Sequence, residues 1–205
     1  MHKTTKSKIK TLAACLHIAF ACVLHVAAQS HAFPNELSGY QFYGRGKLES
    51  VRLGVSTEVD VQRVFGEACK QSERCSLNDD WGVHFWYLEE RLDARGGVPR
   101  PEHAGRLAMI LMEPKRRHPF GMYRFPKAFS RGNASGGGSG HDTPYTYTSY
   151  QVYWHESSGL QLEYRLFSDT NVRYGLGEAR PRKGDLSAIV YSISEAKQDE
   201  MYVKQ

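Results

Sequence analysis

The side chains in this sequence best suited to do chemistry are the histidine–acid neighbours His155-Glu156 and His141-Asp142, the aspartates Asp79-Asp80 and the cysteines Cys69 and Cys75. His155-Glu156 and His141-Asp142 each set an imidazole beside a carboxylate, the minimum for general acid–base work. Asp79-Asp80, ahead of Trp81, would supply the two carboxylates that sugar cleavage uses. Each also has a plainer explanation. Asn78-Asp79-Asp80 is strong turn chemistry, and a histidine beside an acid at a strand end is an ordinary surface feature. There is no G-x-S-x-G elbow and no H-E-x-x-H pair, and the Gly136 to Gly140 run lacks the lysine and following helix of a phosphate loop. No catalytic, cofactor-binding or metal-ligating residue is assigned on these grounds, and no cofactor is expected. A small hydrolase acting on cell-wall or polysaccharide material stays as a second reading. It requires His155, Glu156, Asp79 and Asp80 to meet in one cleft.

The cysteines depend on where the chain resides. Lys3, Lys6, Lys8 and Lys10 precede a mostly apolar run from Leu12 to Ala28, and small residues follow at Val26-Ala27-Ala28 and Ser30-His31-Ala32. That order of parts is a secretory signal peptide, residues 1–32, cut after Ala28 or Ala32. Leu12-Ala13-Ala14-Cys15 has the local form of a lipoprotein box, but the apolar run follows it instead of preceding it, so lipidation at Cys15 is not expected. Export to a periplasmic or extracellular space removes Cys15 and Cys22. Cys69 and Cys75 are then left to pair as a disulfide in an oxidising compartment.

Signal removal also changes the charge. The whole chain carries +5, but without the four signal lysines 23 Lys+Arg face 22 Asp+Glu, a net of +1. Net charge therefore gives no support for a nucleic-acid partner. No second long apolar run follows, so no membrane span is expected in the mature form. The sequence sets no oligomeric state.

The elements that must position these residues are a short helix and several strands. Thr57 caps a helix over 58–65, Asp60 completes a capping box, Val61, Val64 and Phe65 share one face, and Gly66 supplies a left-handed stop. Val83, Phe85 and Tyr87 alternate with His84 and Trp86 in a strand. Leu107 to Met112 is apolar in both phases, as a central strand covered on both faces would be. Tyr145 to Trp154 and Leu160 to Leu166 flank a Ser157-Ser158-Gly159 turn as an antiparallel hairpin, and a last strand runs from Leu186 to Ile193. The glycine-rich stretch 131–144 is expected to be a flexible loop, and 195–205 a polar C-terminal tail. The fold expected for 33–194 is a single α+β domain: a twisted antiparallel sheet with one short helix packed on it.

Aromatic residues are the surplus this fold has to place. Trp81, Trp86, Tyr145, Tyr147, Tyr150, Tyr153 and Trp154 occupy two strands in both phases, so some leave the core face. Trp81, Trp86, Tyr147, Trp154 and His155 are the candidate ligand or partner contacts, because exposed aromatics on a sheet suit flat ligands, sugars or a protein.

Thr57, Val61 and Gly66, followed by the tryptophan strand Trp81 to Tyr87 and a hairpin partner Leu107 to Met112, carry a resemblance. Over about residues 47–115 the chain resembles the SmpA/OmlA-type domain of small outer-membrane lipoproteins, an architecture related to β-lactamase-inhibitor proteins. The resemblance implies a non-enzymatic envelope-assembly module with a protein partner at the cell envelope. The chain departs from that family in its lack of a usable lipid-bearing cysteine and in its length beyond the match.

Overall fold

The capping box forms in full in the computed structural model, which describes residues 31–32, 42–71, 73–89, 97–120, 123–138, 146–170 and 182–203. Residues 1–30, with most of the expected signal peptide, and the His141-Asp142 pair lie outside the described residues. Thr57 Oγ1 accepts from the Asp60 N–H (3.4 Å), and Asp60 Oδ2 accepts from the Thr57 N–H and hydroxyl, each at 2.9 Å. These bonds, the backbone one foremost, hold the Asp60 carboxyl below its usual range. The helix they start, α1 (Glu58–Phe65), buries Val61 and sets Phe65 5.0 Å from the Phe85 ring. Gly66 ends it at φ 98°, as a left-handed stop requires, but its ψ of 157° is extended rather than helical. Side chains rarely enter that region, so glycine is needed there.

The strands in chain order are β1 (His31–Ala32), β2 (Cys75–Ser76), β3 (Trp81–Tyr87), β4 (Val98–Pro99), β5 (Leu107–Pro114), β6 (Tyr123–Arg124), β7 (Ser130–Gly138), β8 (Thr146–Ser157), β9 (Leu160–Thr170), β10 (Leu186–Ile193) and β11 (Tyr202–Val203). Seven of them form one sheet in the order β2-β3-β5-β10-β9-β8-β7, antiparallel at every junction. Two small pairs stand apart, β1 with β6 in parallel and β4 with β11 antiparallel. Signal cleavage after Ala28 would retain β1, whereas cleavage after Ala32 would remove it. With a second helix, α2 (Glu195–Met201), the chain is α+β. No described helix is long and apolar enough to cross a membrane.

Two segments differ from the sequence expectation. The 195–205 stretch is not merely a polar tail. Ser194 caps α2, and Met201 and Tyr202 enter the core. Most of its exposed positions are polar, which hides the two anchors at its end. The glycine-rich 131–138 is not a loop but part of β7, paired residue for residue with β8. Glycine weakens a strand, but the full ladder along β8 supplies the hydrogen bonds and Trp154 the missing cover: a Cβ on Gly132 would stand 2.9 Å from that indole.

The core lies on one side of the large sheet, the side that receives α1 and Met201 of α2. Val83 and Phe85, Ile110 and Met112, Tyr164 and Leu166, and Ile189, Tyr191 and Ile193 supply it from β3, β5, β9 and β10. The Cys69–Cys75 disulfide (Cα–Cα 5.6 Å) fastens the α1–β2 connection to its rim, and so short a loop confers about 2 kcal/mol by chain entropy. The 115–129 segment closes the far end. Phe120, Phe125 and Phe129 surround Tyr164 at 5.7, 5.5 and 5.8 Å, and Phe125 stacks on Tyr153 at 3.8 Å. Arg117 donates to buried Asp185 through Nε (2.6 Å) and Nη2 (3.2 Å), tying this segment to the start of β10.

One core group is poorly served. The buried Tyr87 hydroxyl has no hydrogen-bond partner among the described residues, and burial pushes its phenol far above the usual range. Tyr87→Phe removes an unsatisfied group without opening a cavity, so it should raise stability by about 1 kcal/mol. A urea midpoint below that of the parent would contradict this.

Candidate functional site

Strand register fixes what the other side of the sheet carries. One row across it reads His84, Leu111, Val190, Glu163, Trp154 and Ser130, from β3 to β7. The next reads Trp86, Met109, Ser192, Gln161 and Glu156. Trp86, Met109, Leu111 and Trp154 are half-buried, yet none packs against the core cluster, and buried Val152, Ala188 and Val190 also stand outside it. Both described helices belong to the core side. This face therefore carries apolar residues apart from the core cluster, four half-buried and three buried, with no described helix over it.

Its charges are arranged in two places. At the β3 end, His84 Nε2 donates to Glu113 Oε2 (3.1 Å), and Arg74 Nε lies 3.8 Å from the same oxygen. The Arg74 side chain reaches Glu113 across Gly82, where a Cβ would stand 2.5 Å from Nε. His84 in turn stacks on Trp86 at 5.7 Å. At the centre of the face, Glu163 accepts from Arg165 Nε and from Gln161 Nε2 (3.4 Å). Glu113 and Glu163 are thus neutralised in place, while Glu156 stands exposed at the β8 end of the second row, and ring and aliphatic side chains lie between them.

The five contact candidates divide between the two sides. Trp86 and Trp154 share the open face, four strand steps apart, or about 19 Å at the usual spacing. Trp81 is in phase with Val83 and packs against the core, edge-on to Phe42 at 4.9 Å. His155 is in phase with Tyr153 on the core side, 5.5 Å from Phe129, and its Nδ1–H donates to the Ala128 carbonyl (3.3 Å). Tyr147 lies on β8 opposite Gly137, but its side chain is outside the described residues. His84, Arg74, Glu113, Met109 and Leu111 belong to the open face without having been singled out in the sequence. Their signal was strand phase: His84 and Trp86 alternate with the core residues Val83 and Phe85.

The carboxylates and histidine of the hydrolase reading do not meet. Asp79 and Asp80 shape the turn into β3, where Asn78 Oδ1 accepts from the N–H groups of Asp80 and Trp81, each at 2.9 Å. His155 and Glu156 sit on β8, four strands away, in the rows of Phe85 and Trp86 at the opposite end of β3. Among the described residues no three His, Cys, Asp or Glu side chains are grouped to hold a metal. No protein family, curated protein or solved structure matches the chain.

Proposed function

We propose that this chain is an exported, non-enzymatic binding or envelope-assembly module that contacts a protein partner through the open face of its sheet. The observation that carries the reading is the joint placement of Trp86, Met109, Leu111 and Trp154 on that face, outside the core cluster. Half-buried aromatic and aliphatic groups between neutralised charges suit a protein surface, where large rings at the centre and paired charges around them dominate affinity. The scattering of the candidate acid–base residues weighs against the hydrolase. The order of basic, apolar and small residues in the first 32 positions supports export, and the disulfide is in keeping with an oxidising space.

Photocrosslinking in the native host tests this. A photoreactive residue at Met109 should capture a discrete protein, while one at Val59, exposed on α1, should not. Trp86→Ala should reduce the Met109 crosslink at least tenfold while leaving the thermal midpoint nearly unchanged, because Trp86 lies outside the core cluster. Trp154 is the poorer probe, since its indole also covers Gly132. No adduct from Met109, or equal capture from Val59, would overturn the reading.

A further inference from the structure

A cleft of about 460 Å³ opens on the core side, at the end of the sheet where the 115–129 segment crosses β8 and β9. Its volume lies within the range of small-molecule sites and is too small for a folded partner. One wall is flat and aromatic. Phe125 and Tyr153 lie nearly parallel (8°) at 3.8 Å, and Phe120 stands 5.5 Å from Phe125. The other wall is basic. Arg117 is held in place by Asp185, which takes two of its donors and leaves the rest of the guanidinium unused by that pair. Lys183 is exposed at the rim and has no ion-pair partner among the described residues.

Gln151 joins the two walls. In the orientation that satisfies its whole amide, Nε2 donates to the Tyr153 hydroxyl (2.7 Å) and Oε1 accepts from Arg131 Nε (3.0 Å). The Tyr153 hydroxyl, having accepted, keeps its own proton for a further acceptor. Asp185 is the only acid among the described lining residues and is already committed to Arg117 and to the Arg182 N–H (2.7 Å). The cleft therefore offers an ammonium without a counter-charge among the described residues, a fixed guanidinium and a phenolic donor beside a stack of rings.

We propose that this cleft binds a small organic anion with a flat apolar body, of the class of aromatic carboxylates. The carboxylate would take Lys183 and the donors of Arg117 that Asp185 leaves, and the flat body would lie against the partly exposed Phe125–Tyr153 stack, which the buried Phe120 backs. The site is separate from the open sheet face and does not depend on what binds there.

Isothermal titration of the intact mature chain with 2-naphthoate, and in parallel with neutral 2-naphthalenemethanol, tests the proposal. Naphthoate should bind at least tenfold more tightly than the alcohol, and Lys183→Glu should weaken naphthoate at least tenfold while barely affecting the alcohol. Lys183 is exposed, so this variant should keep the parent's circular dichroism and thermal midpoint. Trp86→Ala should leave naphthoate binding unchanged. Absence of naphthoate binding at millimolar concentration, equal affinity for the alcohol, or indifference to Lys183→Glu would each overturn the assignment.

Discussion

Tyr164→Ala is expected to lower the unfolding free energy by about 4 kcal/mol, the largest effect of any single substitution considered for this chain. Tyr164 is 1% exposed at the middle of β9, and three phenylalanine rings of the 115–129 segment close around it. Its truncation removes the surface on which that segment is seated and leaves a cavity that rigid flanking strands cannot fill by collapse. The loss should be read from urea or guanidinium titration, with hydrogen exchange on 115–129 rising ahead of exchange in β3 and β5. A change below 1 kcal/mol would mean that the segment holds its place without the tyrosine.

Asp185→Ala should follow at about 3 kcal/mol, near the low end of the range for breaking a buried ion pair. Asp185 is 3% exposed and receives three donors: two from Arg117 and the Arg182 N–H. Without it, the Arg117 guanidinium stays partly buried with its charge uncompensated. That side chain is 31% exposed, so water recovers part of the deficit. The double replacement Arg117→Met with Asp185→Leu should recover most of the loss, because the cost lies in the stranded charge and not in the pair's net contribution. If the double variant is less stable than Asp185→Ala alone in the same denaturant titration, this account of the pair is wrong.

Much of the fold was legible because its signals are local. α1 carries its cap, its apolar face and its stop within ten consecutive residues, and β9 shows its core phase in plain alternation. The disulfide needed only the compartment and the spacing of Cys69 and Cys75. Where stabilisation comes from a partner strand, the sequence is misleading. β7 looks like a linker until β8 is laid beside it, and α2 is polar except where Met201 enters the core. The candidate site failed in the same way. Trp81 and Trp86, five positions apart, fall in opposite phases, as do Trp154 and His155, which are adjacent. Grouping them by proximity mixed the two sides of the sheet. Glu113 meets His84 only through the β3–β5 register, across 29 positions of chain.

The junction of β5 with β10 has a kinetic consequence. Every other pairing within the large sheet joins strands close in the sequence: β2 with β3, β3 with β5, and β7 through β10 in turn. Joining Pro114 to Leu186 closes a loop of roughly 70 residues, and that closure is shared between the β5–β10 ladder and the contacts of Arg117, His118 and Phe120 with Gly184, Asp185 and Leu186. Each half can form from near neighbours, but neither has a complete hydrophobic side until they meet. The ladder between Met109–Met112 and Ile189–Ser192 should thus form late in folding, after the strands on either side have paired locally.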